Sequence, residues 1–114
     1  MDLTQDIFLK LLKLYRKVFW GPGSDIDKYI KHPGLLYSRV LNMTSNSIND
    51  MQMPIDYIRI GSKYSEDTKL GFHLTPKGDI EVLLYLHPEK GQNSAEEQII
   101  EDRFIFLVNE MLKK

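Results

Sequence analysis

Residues 69–87 carry the pattern that most constrains this chain. Leu70, Phe72 and Leu74 alternate with Lys69, Gly71 and His73, and Ile80, Val82, Leu84 and Leu86 alternate with Glu81, Leu83, Tyr85 and His87. Period-two alternation on both sides of Thr75-Pro76-Lys77-Gly78-Asp79 predicts an antiparallel hairpin. Proline suits the first turn position, and glycine suits a left-handed bulge residue. A three-residue loop pairs Thr75 with Asp79. Leu74 then faces Ile80, Phe72 faces Val82 and Leu70 faces Leu84, so all six land on one face. A slip of one residue would scatter them, which favours this register. Leu83 and Tyr85 fall on the opposite face, across from Gly71 and Lys69, where they are either covered by helices or exposed for binding.

Two amphipathic helices flank this hairpin. In residues 3–19, Ile7, Leu11, Leu14 and Val18 form one apolar stripe and Phe8, Leu12, Tyr15 and Phe19 a second, opposite Asp6, Lys10, Lys13 and Lys17. Asp2 with Gln5 resembles a capping box, and Gly21-Pro22-Gly23 ends the helix. Residues 95–112 form the last helix. Ser94 and Glu97 make its capping box, Ile100, Phe104, Leu107 and Met111 its main stripe, and Ile99, Phe106 and Val108 widen that stripe. At about 1.5 Å per residue it is about 27 Å long, longer than either hairpin strand.

Between them, Ser24 and Asp27 cap a short helix that stops at His32-Pro33-Gly34, and residues 35–43 supply a further helical turn or two. Residues 44–54 read as a loop carrying Ile48, Met51 and Met53, and residues 55–60 as a third strand. The expected fold is α+β: a short antiparallel meander of about three strands packed in two layers against N-terminal and C-terminal helices, with residues 1–114 as a single domain.

Composition narrows the function classes. The chain of 114 residues has no cysteine, which removes disulfides, thiolate metal sites and cysteine nucleophiles and fits a reducing compartment. The start Met1-Asp2-Leu3-Thr4-Gln5-Asp6 lacks a basic segment and small-residue cleavage site, and no apolar run approaches the ~18 residues of a membrane span. A cytoplasmic location without membrane association is the expectation. Net charge is −1 but uneven. Residues 1–40 carry seven basic and four acidic side chains, and residues 41–114 eight basic and twelve acidic. The acidic second part suits a basic partner.

The candidate chemistry is sparse. His73 faces Glu81 in the hairpin register, a pair that an acid–base enzyme could use and that otherwise makes a solvated cross-strand contact. His87 faces Asp67 or frays past it. His73 and His87 lie six steps apart, roughly 20 Å, too far to share a zinc ion with ligands at ~2 Å. No metal site or cofactor is expected, and no nucleophile or oxyanion donor is nominated. Lys10, Lys13, Arg16 and Lys17 on the first helix offer a nucleic-acid or anionic-surface adaptor as a further alternative, diluted by Asp2 and Asp6. Direct nucleic-acid binding is therefore not the leading expectation.

Glu96, Glu97, Glu101 and Asp102 cluster in the first two turns of the last helix. The helix dipole and the cap account for Glu96 and Glu97. They do not account for Glu101, which repels Glu97 at i, i+4. An acidic ridge kept at that cost suits a basic partner. Flexible Met51 and Met53, and Leu83 and Tyr85 on the far hairpin face, would add contact area.

Through the run Ala95-Glu96-Glu97-Gln98-Ile99-Ile100-Glu101-Asp102, with its size, mild acidity and lack of cysteine, the whole chain resembles the immunity proteins of bacterial toxin systems, such as those of contact-dependent growth inhibition. That resemblance implies a non-enzymatic antitoxin that neutralises a basic toxin or nuclease in a specific complex. Glu97, Glu101 and Asp102 would then oppose basic groups. The sequence assigns neither the partner nor an oligomeric state.

Overall fold

A computed structural model of the chain describes residues 4–47, 55–74 and 80–112. In chain order the elements are α1 (Gln5–Phe19), α2 (Ile26–Lys31), α3 (Pro33–Ser47), β1 (Ile55–Arg59), β2 (Lys69–Leu74), β3 (Ile80–Tyr85) and α4 (Ala95–Leu112). The strands form one antiparallel sheet in the order β1-β2-β3. The fold is α+β, with helices at both ends, as the sequence predicts.

The hairpin register is the expected one: Leu70 opposes Leu84, Phe72 opposes Val82 and Leu74 opposes Ile80. Leu70, Phe72, Val82 and Leu84 are buried, and Ile80 packs against the same core. The turn carrying Pro76 and Gly78 lies outside the described residues. From the helices, Phe8, Leu11, Leu12, Tyr15 and Phe19 of α1 and Phe104, Val108 and Leu112 of α4 enter this core. Its centre is aromatic: Phe104 meets Phe19 edge-on at 5.2 Å and Tyr15 at 5.8 Å between ring centroids. Such contacts add about 0.5–1.5 kcal/mol each beyond the area they bury.

Several expected boundaries shift for local reasons. Thr4, not Asp2, caps α1, its hydroxyl accepting from the Ile7 amide at 3.2 Å. Asp25, not Ser24, is the N-cap of α2 and makes no side-chain cap bond; the Ser24 hydroxyl donates to the Gly21 carbonyl at 2.8 Å. Asp27 is held by the Arg16 guanidinium and by the Trp20 indole, the latter at 2.9 Å; the Arg16 hydrogen bond, first, and then Trp20 hold its carboxyl below the ordinary value. Pro33 opens α3, where its missing N–H costs nothing. That helix runs through residues 44–47, so only residues 48–54 of the expected loop remain, outside the described residues.

The connector after α1 is stitched to the β1–β2 connection. Asp25 N–H donates to the Ile60 carbonyl at 2.7 Å, and Lys63 N–H to the Phe19 carbonyl at 2.9 Å. Gly61 has φ +73°, and a Cβ there would sit 2.5 Å from the Gly23 carbonyl oxygen, so glycine is required. The buried Tyr15 hydroxyl donates to the Gly61 carbonyl, and burial pushes its phenol well above the ordinary value. Farther on, Thr68, fully buried, sits within 2.8 Å of both the Ser62 hydroxyl and the Leu86 carbonyl. The Ser62 hydroxyl also accepts from the Tyr64 and Ser65 amides at 3.1 and 3.2 Å. This network ties the end of β3 to the entrance of β2.

Candidate functional site

Beside β3, an edge strand of the sheet, lies a groove of about 440 Å³ whose other wall is α4. Residues 82–85 form one wall, and Glu101, Asp102, Ile105 and Phe106 form the other. A second hollow of about 250 Å³ continues it toward the turn before α4, sharing Leu84, Tyr85 and Glu101. Four of the expected binding residues, Leu83, Tyr85, Glu101 and Asp102, therefore line one site.

The origin of that site is the way α4 is used. Its Phe104, Val108 and Leu112 row packs into the core, with Ile100, Ile105 and Met111 alongside. Leu107, expected in the main inward stripe, is 36% exposed, and Ile99 and Phe106 are 68% and 62% exposed. A helix with apolar residues on nearly every side does not declare which face turns inward. Here the i, i+4, i+8 row wins, and Phe106 is left on the groove wall. The stripe predicted from the sequence places Phe106 with the core and does not include Ile105. Their signal was the excess of apolar positions over what one helix face can bury.

On the outer face of the sheet, Tyr57 and Tyr85 meet edge-on, 5.3 Å between centroids. They close over Gly71, where a Cβ would lie 3.0 Å from the Tyr57 ring. Both rings are near 40% exposed. The Tyr57 hydroxyl, burial and the Glu101 charge, in that order of effect, raise the Tyr85 phenol above its ordinary value.

Glu101 is the electrostatic centre of the groove. Its carboxylate is half-buried and accepts from the side-chain amides of Asn93 and Gln98, each at 2.9 Å. Burial is the main effect raising its carboxyl above the ordinary value. The Gln98 amide pulls it down, Asp102 pushes it up and Asn93 pulls it down again. Asp102 accepts from Gln98 at 2.9 Å. Among the described residues, no ion pair reaches either carboxylate.

Glu97 is engaged elsewhere. It accepts from the Ser94 amide at 2.8 Å while its own amide donates to the Ser94 hydroxyl at 3.2 Å, the expected capping box. Its second oxygen meets His87 Nε2 at 2.8 Å, where the hairpin register has His87 facing Asp67 or fraying past it. The Ser94 backbone amide, then His87, hold the Glu97 carboxyl below its ordinary value. Glu97 thus anchors α4 beside the site. Met51 and Met53 lie outside the described residues.

His73 and Glu81 sit 3.3 Å apart on the outer sheet face, and neither lines the groove or the adjoining hollow. On α1, Lys10, Lys13 and Lys17 are exposed, whereas Arg16 is committed to Asp27 and stacks 5.9 Å from the Trp20 ring centroid. Among the described residues, no three or more metal-ligating side chains gather, and no helix is long and apolar enough to cross a membrane.

Taken by its geometry, this is an α+β domain with an acidic, aromatic-lined groove along a sheet edge. No family model, curated protein or solved structure matches the chain.

Proposed function

We propose that this chain is a non-enzymatic protein-binding module of the immunity or inhibitor kind, which neutralises a basic toxin or nuclease in the cytoplasm by forming a specific complex through the β3–α4 groove. Glu101 is the observation that carries the reading. A carboxylate half-buried against Tyr85 and beside Asp102, met among the described residues only by neutral amides, is held at a cost in the free protein. A lysine or arginine from a partner removes that cost and gains a charge-assisted bond. Exposed Phe106 and Tyr85 supply the large apolar contacts on which interfaces depend.

The test is co-purification with the product of the neighbouring reading frame, followed by Glu101→Lys with Asp102→Lys. Reversal of both charges is expected to weaken the complex at least about tenfold and to slow association, with the slowing reduced at high salt. Unchanged affinity and association rate would remove the groove from the interface. Glu97 is left intact in this test, since its reversal would uncap α4.

A further inference from the structure

Tyr85 and Glu101 stand where two spaces meet, since both line the β3–α4 groove and the hollow that continues it. The Tyr85 ring is 41% exposed and is braced by Tyr57, edge-on at 5.3 Å. The face of an aromatic ring carries negative potential and attracts cations. The carboxylates beside it are held in place and keep their charge. Gln98 Nε2 donates to Glu101 Oε2 and to Asp102 Oδ1, each at 2.9 Å, and Asn93 Nδ2 donates to the same Glu101 oxygen at 2.9 Å. One neutral amide thus fixes two like charges side by side. Among the described residues, no hydrogen bond reaches Glu101 Oε1 or Asp102 Oδ2, so each carboxylate can accept from a further donor.

We infer that the groove receives an arginine of the partner, its guanidinium lying on the Tyr85 ring and bonded to Glu101 and Asp102, with an adjacent apolar residue on Ile105 and Phe106. Arginine meets this combination better than lysine does. A guanidinium is planar and weakly hydrated, and it can stack on a ring while its forked donors reach two carboxylates. An ammonium is a compact, strongly hydrated point charge. The inference deepens the proposed function and rests on the groove being the binding site.

A second copy of this chain supplies such an arginine poorly. Arg16 is held by Asp27, Arg39 bonds the Tyr57 carbonyl, and Arg59 stands between Asp25 and Asp67. Arg103 is exposed but follows Glu101 and Asp102 on α4, so a copy presenting it brings the same two negative charges to the groove.

The probe is a capped pentapeptide with arginine between two leucines and a glycine at each end, titrated at low salt into the 15N-labelled protein. Lysine and citrulline versions serve as comparisons, the first charged but not planar, the second planar but uncharged. The arginine version is expected to shift the Tyr85, Glu101 and Phe106 amides, while stacking moves its own δ-methylene protons upfield. The lysine version should bind about fivefold more weakly and the citrulline version about tenfold more weakly. Tyr85→Leu should bring arginine down to the lysine level, and Tyr85→Phe, which keeps the ring, should not. All three peptides are compared first on the unaltered protein, so the result stands even if a Tyr85 variant folds poorly. Lysine binding as tightly as arginine, with the δ-methylene protons unmoved, overturns the arginine assignment and leaves the groove as a site for any basic group. No shift with any version at millimolar peptide also overturns it, and a natural complex indifferent to E101K/D102K removes the groove as well. A dimer by sedimentation that E101K/D102K dissolves gives the groove to a second copy and overturns the inference.

Discussion

Thr68→Val tests the link between the core and the site. The two side chains have the same shape, so packing is preserved and only the hydroxyl is lost. In the native protein that hydroxyl lies 2.8 Å from the Leu86 carbonyl, 2.8 Å from the Ser62 hydroxyl and 3.1 Å from the Ser65 carbonyl, with Thr68 fully buried. Valine leaves the Leu86 carbonyl and the Ser62 hydroxyl without this partner. Stranding a buried polar group costs about 1–3 kcal/mol, so the variant should lose about 2–4 kcal/mol of a stability that for small domains totals about 5–15. Thr68→Ser keeps the hydroxyl, removes one methyl group and should lose about 1 kcal/mol. Urea unfolding at constant slope reads the difference as a shift in midpoint. A double-mutant cycle with Ser62→Ala adds a second condition: the paired loss should fall short of the sum of the single losses. If valine costs no more than serine, the hydroxyl does not hold β3 to the β2 entrance, and another contact must position the groove's floor.

Three further outcomes follow from the site. Glu97→Gln should cost about 1 kcal/mol at neutral pH through the weakened cap. Because the folded Glu97 carboxyl titrates below its ordinary 4.5, that contribution is complete above about 4.5 and is lost as pH falls through the folded value. Chemical unfolding of both proteins across this range should show the gap closing, and a gap that persists in acid would contradict the assignment. Glu101→Gln has the opposite sign: its folded carboxyl titrates above the ordinary value, so the charge costs stability at neutral pH and the cost fades as pH falls through the folded value. The variant should melt no lower than the parent at pH 7 while binding the partner more weakly, a stability–function trade; a lower melting temperature would refute it. Gly71→Ala should drive the Tyr57 ring off Tyr85 at a cost of up to about 1.5 kcal/mol, visible as a changed near-ultraviolet circular dichroism, and an unchanged tyrosine signal would show that the ring yields without breaking the pair.

The hairpin was legible because period-two patterning occurs on both strands and the two runs agree on one register. The N-terminal helix was legible because its polar stripe, Lys10, Lys13 and Lys17, is continuous. The inward face of α4 was not, because Ile99, Phe106 and Leu107 offer as much apolar surface as the row that is buried. The extent of α3 was not, because the polar Thr44-Ser45-Asn46-Ser47 run has the composition of a loop, and composition is a weak guide where tertiary context decides. Four groove residues were anticipated from separate arguments, the acidic pair from charge spacing and Leu83 with Tyr85 from strand parity. Their meeting in one groove depends on how α4 lies across β3, which no local pattern encodes. The Thr68–Leu86 and His87–Glu97 bonds join residues that only the tertiary fold brings together.

The two edges of the sheet are treated differently, and that difference bears on where a partner can dock. Exposed edges invite unwanted pairing, and proteins commonly guard them with charged side chains. The β1 edge is guarded in this way: Arg39 bonds the Tyr57 carbonyl, and Arg59 stands on the same strand between Asp25 and Asp67, at 3.7 and 3.8 Å. At the β3 edge the flanking charges are Glu101 and Asp102, both negative and both without a cation among the described residues. A carboxylate pair repels other acidic surfaces and a second copy of the same chain, but it welcomes a basic partner. The selection at this edge is therefore made by charge on α4. Substituting Asp102→Arg should convert it to the guarded kind: the co-purified partner should bind at least about tenfold more weakly, while urea unfolding changes by no more than about 0.5 kcal/mol, as expected for an exposed position. A partner that binds the D102R protein as tightly as the parent would show that charge on α4 does not decide access to the edge.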